Sequence, residues 1–130
     1  MTDEGRGASA AEELALAHEE LAAADQLTAA LPRIALTRAY FAVFHAMRAA
    51  LCGAGFEPRT HRGTLHLFNL HFVKTGAFPP DVSRLGSRLQ KYREEADYGA
   101  SFIIDAAGAK VEIDAARAFV EKVAASIVAS

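Results

Sequence analysis

Residues 33–52 read RIALTRAYFAVFHAMRAALC, and this stretch decides the fold. It predicts a helix with one main apolar stripe, which comprises Tyr40, Phe44, Met47 and Leu51. Alanine and valine fill most of the remaining positions, so that nearly every side of the helix is apolar. Such a helix belongs in the centre of a helical bundle, where other helices cover it.

Helix boundaries can be read on both sides of this stretch. Upstream, Ser9 followed by Glu12 has the spacing of a capping box, so we expect the first helix to begin there. Residues 1–8 are then predicted to be a flexible N-terminus. Pro32 separates the first helix from the central one, which Gly53 ends.

Three further helices are predicted downstream. They begin at the N-cap Thr60, at Asp81 after two prolines, and near Lys110. Their expected ends lie near Thr75, Gly99 and Ala129. Because no alternating strand pattern occurs, residues 1–130 are predicted to form one all-α domain, an antiparallel up-and-down bundle of about five helices.

The composition limits the class of protein. No run approaches the roughly 18 consecutive apolar residues of a membrane-spanning helix, so no membrane association is expected. Residues 1–10 lack the apolar stretch of a secretory signal. The single cysteine, Cys52, cannot form an internal disulfide and fits a reducing compartment, so a cytoplasmic location is expected.

Charge is strongly partitioned along the chain, although the net charge is only −2. Residues 1–30 carry seven acidic residues and one basic residue, and residues 94–130 carry seven and three. Residues 31–93 carry ten basic residues and two acidic ones. This asymmetry favours an anionic partner. The alternative is that acidic outer helices neutralise basic inner ones within the fold.

Three segments resemble one branch of the HEPN superfamily, the higher-eukaryote-and-prokaryote nucleotide-binding domains. They are TRAYFAVFHAMRAAL at 37–51, PRTHRG at 58–63 continuing through LF at 67–68 to HFVKTG at 71–76, and YREEADY at 92–98. Together they cover about half of the chain in the order and spacing of that branch.

The resemblance implies a helical bundle, often dimeric, from a bacterium or archaeon. Members of the superfamily act as metal-independent ribonucleases, commonly as toxins of toxin–antitoxin pairs, and others are partners of small nucleotidyltransferases. The ribonucleases use an arginine followed after four to six residues by a histidine on a late helix. This chain departs from that pattern, because Arg93 is followed by Glu-Glu-Ala-Asp-Tyr-Gly and no histidine occurs after His71.

Three functions follow as hypotheses. The departure favours a non-catalytic protein that binds a nucleotide or RNA, forms a homodimer, and works with a nucleotidyltransferase or antitoxin protein. The first alternative is a metal-independent ribonuclease toxin, in which His45 or His61 would be catalytic. The second is a helical module that only binds other proteins.

The first candidate group lies on the central helix. Arg38 and His45 are seven residues apart and therefore share a helix face, with Arg48 close to it. Two guanidinium groups beside an imidazole could bind phosphate or act in acid–base chemistry. The alternative is that His45 is a buried polar group bonded to a neighbouring helix.

Two further groups lie on later helices. Arg59, His61 and Arg62 surround the Thr60 cap, where free backbone N–H groups favour an anion; the alternative is an exposed cap with incidental charges. Arg93 and Asp97 are i, i+4 with Tyr98 beside them, and are read either as part of a shared ligand pocket or as a helix-end salt bridge.

No metal or cofactor is predicted. His61, His66 and His71 are five residues apart, which spreads them around a helix, and Cys52 has no cysteine partner. The chain also lacks a phosphate-binding loop and a dinucleotide fingerprint. A nucleotide would therefore have to be held by the basic groups named above.

Overall fold

Five α-helices make up the part of the chain that the computed structural model describes, residues 3–98 and 103–129. The all-α prediction is confirmed, since no strand occurs within these ranges. A short π-helical segment, Asn69–Val73, continues the third helix. The helices are α1 (Asp3–Leu27), α2 (Pro32–Gly53), α3 (His61–Phe68), α4 (Asp81–Tyr98) and α5 (Ala106–Ala129).

The predicted central helix, α2, does contact all four other helices. Its tightest neighbour is α1, and alanines form both sides of that contact. Small side chains let the two helix backbones approach closely, so the apolar area that they bury is continuous. The fully buried alanines are Ala10, Ala17 and Ala24 on α1 and Ala35, Ala39, Ala42, Ala46 and Ala49 on α2.

Contacts between charged and aromatic side chains fix the directions of the four long helices, α1, α2, α4 and α5. Glu13 pairs with Arg48 and Glu20 pairs with Arg38, so α1 and α2 are antiparallel. Arg117 of α5 pairs with Asp25 near the end of α1. The later Glu121 pairs with the earlier His18, so α5 is antiparallel to α1. The Arg93 guanidinium lies over the Tyr40 ring, which places the end of α4 beside the first half of α2. The bundle is therefore up-and-down, as predicted.

Two predicted helix starts are wrong. The first helix begins at Asp3 and not at Ser9. Its additional turns reach the chain just after α2, where an added Cβ at Gly55 would lie 3.4 Å from the Arg6 side chain. The fifth begins at Ala106 and not near Lys110. Its start is capped by Asp105, whose carboxylate accepts a hydrogen bond from the Gly108 amide at 2.7 Å.

Other boundaries agree with the sequence. The Thr60 cap is confirmed, because its hydroxyl accepts a hydrogen bond from the Gly63 amide at 2.8 Å. The third helical segment ends at Val73, two residues before the predicted Thr75. The predicted stop at Gly99 lies outside the described residues, and the flexibility of residues 1–8 stays a prediction.

None of the helices in the described ranges is both long enough and apolar enough to cross a bilayer.

Candidate nucleic-acid interface

One side of α2 carries alternating basic and aromatic residues that the other helices leave partly exposed. Arg38, Phe41, His45 and Arg48 follow a spacing of three and four residues along this side, and Phe44 lies beside them. The three predicted basic residues of the central helix therefore do share one face. Their partners on α1 decide how much of their charge is available to a ligand.

Glu13 of α1 binds two of these basic groups. Its carboxylate accepts a hydrogen bond from His45 Nδ1 at 2.7 Å and another from Arg48 Nε at 3.0 Å. Arg48 also donates to the Pro58 carbonyl at 2.6 Å. The Glu13 side chain is only 15% exposed, so water competes weakly with these bonds. The arrangement favours the structural alternative for His45, and it gives Arg48 the same role of joining α2 to α1.

Arg38 has an equivalent partner about two turns further along α1. Its Nη1 lies 3.1 Å from a carboxylate oxygen of Glu20. The same guanidinium lies over the Phe41 ring, 5.0 Å from its centroid. Acidic residues of α1 therefore pair with all three basic groups predicted on α2, which accords with the alternative reading of the charge partition.

His61, by contrast, packs among aromatic rings. The Thr60 cap holds it in the first turn of α3, where its Nδ1 and the Tyr40 hydroxyl form a 2.7 Å hydrogen bond. Its ring stacks on Phe44 with centroids 4.1 Å apart and planes 11° apart. Phe41 approaches the same ring edge-on at 5.9 Å. The hydroxyl and the rings fix the orientation of the imidazole.

Arg93 reaches the same rings from α4. Its guanidinium carbon lies 5.4 Å from the centroid of Tyr40 and 5.4 Å from that of Phe41. Unlike Arg38 and Arg48, Arg93 has no carboxylate partner among the described residues. We call this group of Tyr40, Phe41, Phe44, His61 and Arg93 the aromatic–basic patch.

The environment of the patch changes two pKa values. Partial burial lowers the pKa of His61 below 6.5, and the positive charge of Arg93 lowers it further, with smaller contributions from His45 and Arg48. Burial raises the pKa of Tyr40, although Arg93 opposes this effect and Glu94 adds to it. Both groups are therefore uncharged near neutral pH.

A neutral imidazole at this position has defined chemistry. One proton lies between the Tyr40 hydroxyl and His61 Nδ1, and its position sets the ring tautomer. If Nδ1 carries the proton, Nε2 has a lone pair and can act as a base. If the hydroxyl donates, Nε2 carries the ring proton and can donate to a phosphate oxygen.

The remaining predicted residues are dispersed. Arg59 and Arg62 are exposed on either side of the Thr60 cap, close to the patch in sequence but not part of its ring contacts. Asp97 and Tyr98 form the end of α4, but their side chains lie outside the described part of the structure. The predicted pairing of Arg93 with Asp97 therefore stays a prediction. Within the described residues, no group of three or more potential metal ligands comes together.

Sequence reasoning assigned the aromatic residues of the patch a different role. Tyr40 and Phe44 were predicted only as core residues, and Tyr40 is indeed 6% exposed. The available signal was the hydroxyl itself, because a buried tyrosine hydroxyl needs a hydrogen-bonding partner. That partner is His61, which is 21 residues away and comes from another helix.

The sequence matches a known protein family and several named relatives. Residues 12–127 match the model of the HEPN domain. The chain is 36% identical over 84 residues to "Putative toxin MJ0605" of Methanocaldococcus jannaschii, covering 64% of this chain and 63% of that protein.

Two further relatives are each named "UPF0332 protein". The one from Archaeoglobus fulgidus is 46% identical over 61 residues, which are 47% of this chain and 48% of the relative. The one from Thermotoga maritima is 35% identical over 65 residues, covering 50% and 49%. The chain thus spans about half to two thirds of the length of these relatives. Because the family model matches nearly the whole chain, the protein belongs to the HEPN domain family.

Proposed function

We propose that this HEPN protein binds RNA through the aromatic–basic patch. The observation that carries the proposal is the meeting of Arg93 and His61 on the rings of Tyr40 and Phe41. A guanidinium group binds phosphate, and exposed aromatic faces stack on unpaired bases. Phe41 and Phe44 are both partly exposed, which supports contact of this aromatic group with a ligand.

The proposal predicts single-stranded RNA as the form that binds. Duplex bases are already stacked on one another, whereas each unpaired base that stacks on an aromatic side chain contributes about 1–3 kcal/mol. Arg93 would add a salt-dependent phosphate contact. His45, Arg38 and Arg48 would act indirectly, because their pairs with α1 hold the rings of α2 in place.

Fluorescence anisotropy with a labelled octauridylate tests this proposal. Arg93→Gln should weaken binding about tenfold, as expected for the loss of a charge-assisted hydrogen bond. Arg84→Gln is the matched control, since Arg84 lies on the same helix, is exposed, and pairs with Asp81 away from the patch. Equal affinity of wild-type protein and Arg93→Gln, or no binding at low salt, would contradict the proposal.

A metal-independent ribonuclease is the second candidate, and the lowered pKa of His61 beside Arg93 is the observation that favours it. A neutral Nε2 could accept the proton of a ribose 2′-OH as that oxygen attacks the adjacent phosphorus. The bond to the 5′ oxygen then breaks, that oxygen takes a proton from the imidazolium or water, and a 2′,3′-cyclic phosphate remains. Arg93 would stabilise the charge on the pentacoordinate phosphorus.

This candidate accords with the word toxin in the names of two relatives from Methanocaldococcus jannaschii. Its test is cleavage of single-stranded RNA in EDTA, which His61→Gln should abolish. His18→Gln is a suitable control, because His18 lies on α1 and bonds to Glu121 of α5. Intact RNA after incubation with wild-type protein would leave the binding function alone.

The partner component of the proposal comes from the family resemblance. In this proposal the protein forms a homodimer in the cytoplasm and works beside a small nucleotidyltransferase or an antitoxin protein. Co-expression with the product of a neighbouring nucleotidyltransferase gene, followed by affinity purification, tests the association. Separate elution of the two proteins would contradict it.

A further inference from the structure

A second polar cluster lies on the outer face of α3, next to the aromatic–basic patch. It surrounds a cavity of about 350 Å³ between α3 and α4. Arg62, His66 and Asn69 line one side at i, i+4 and i+7, so the three side chains project from one face of α3 and the π-helical turn that follows it. Leu65 and Gln90 complete the lining. None of these five described residues carries a carboxylate.

Hydrogen bonds to α4 orient the amide of Asn69. The Ser83 hydroxyl donates to Asn69 Oδ1. Because the carbonyl oxygen of this amide is already used, its NH₂ group is left as a donor. The Gln90 amide donates a hydrogen bond to the Glu94 carboxylate at 3.4 Å along α4. The Glu94 carboxylate is therefore directed to Gln90. The cavity therefore offers a guanidinium, an imidazole and an amide NH₂, a set of donors suited to a phosphate.

The cluster is separated from the patch by a single layer of side chains. Leu65 and Gln90 line this cavity and also the small space beside Tyr40 and His61. From His61 to His66 the helix advances about 7.5 Å, at 1.5 Å per residue. Phosphates of one stacked strand are about 3.4 Å apart along the axis, so this distance corresponds to about two nucleotides.

We propose that Arg62, His66 and Asn69 form a second phosphate subsite, and that the ligand is a single strand of several nucleotides and not a mononucleotide. This inference rests on the proposed function and specifies its substrate class. A strand with one phosphate at Arg93 places a later phosphate at the second subsite.

Competition binding with two unlabelled RNAs tests the inference. Diuridylate and octauridylate each compete with a fluorescein-labelled octauridylate for three proteins. These are the wild type, the double variant Arg62→Gln/His66→Gln and the double variant His18→Gln/Arg84→Gln. The last variant is the matched control, since it also removes one exposed histidine and one exposed arginine. Circular dichroism verifies that each variant is folded.

The expected result is a length-dependent loss. The Arg62→Gln/His66→Gln variant should bind octauridylate about tenfold more weakly, while its affinity for diuridylate and the affinities of the control variant stay unchanged. The slope of log Kd against log salt should also fall by about 0.7 for one lost phosphate contact. Unchanged octauridylate affinity and slope in this variant would overturn the second subsite alone. Failure of the wild-type protein to bind either RNA would instead reject the proposed function and, with it, the subsite.

Discussion

Replacing Glu13 with alanine should destabilise the protein by about 2–3 kcal/mol. The substitution removes the acceptor of two charge-assisted hydrogen bonds, from His45 at 2.7 Å and from Arg48 at 3.0 Å. Bonds of this kind contribute about 1.5–3 kcal/mol each when shielded from water. The side chains of His45 and Arg48 remain 20% and 26% exposed, so water replaces part of the loss. Arg48 also keeps its bond to the Pro58 carbonyl.

Urea denaturation followed by circular dichroism at 222 nm measures this change. A loss of about 2 kcal/mol moves the midpoint by about 1–2 M for a slope near 1–2 kcal/mol per molar urea. Glu19→Ala is the matched control, because Glu19 is an exposed acid on the same helix and gains the same helix propensity. The control should lie within about 0.5 kcal/mol of the wild type.

The comparison separates a structural role of His45 and Arg48 from a ligand-binding one. If Glu13→Ala is as stable as Glu19→Ala, the pairs contribute nothing to the fold, and the reasoning that assigns these basic groups to the contact between α1 and α2 is refuted. If the destabilisation is as large as expected, both residues are explained without a ligand. The aromatic–basic patch then depends on His61 and Arg93.

Three further predictions concern the patch and the helix packing. Because folding lowers the pKa of His61, the stability that this group contributes is present above pH 6.5 and is lost as the pH falls through the folded-state pKa. NMR titration of His61 should give a midpoint below 6.5, and Arg93→Gln should raise that midpoint. Thr60→Ala should cost about 1 kcal/mol in urea denaturation by removing the cap of α3, and a change below 0.3 kcal/mol would contradict the capping role. Ala39→Leu should destabilise by about 1–3 kcal/mol, since this alanine is fully buried and a larger side chain would have to displace its neighbours; an unchanged urea midpoint would show that α1 and α2 can separate without cost.

Local signals account for most of the fold. The apolar stretch at 33–52 predicted the central helix, and both ends of that helix lie within one residue of the prediction. The Thr60 cap was also readable, because its hydrogen bond joins residues only three apart in the chain. The two wrong helix starts have different causes. The additional turns of α1 bring Arg6 close to Gly55 after α2, which only the folded chain shows, whereas the cap at Asp105 was a local signal that the presence of Gly108 obscured.

The candidate site was predictable only in part. The sequence predicted a site of basic residues, and it named His61 and Arg93 among the candidates. Their relation to Tyr40 was not predictable, since the three residues lie on three different helices. The pairing of Glu13 and Glu20 with the basic groups of α2 was not predictable either, because each pair joins residues at least 18 apart in the chain.

The sequence by itself determined which segments are helical, which helix is central and where basic charge is concentrated, since periodicity, caps and composition act over a few residues. Only the tertiary structure decided which of the basic groups pair with acidic residues of α1 and which meet at the aromatic rings. The physical reason is that hydrogen bonds and ring contacts extend only a few ångströms, so they depend on the directions and offsets of packed helices. In this protein, the packing of α1 against α2 occupies Arg38, His45 and Arg48, and the packing of α3 and α4 against α2 brings His61 and Arg93 together.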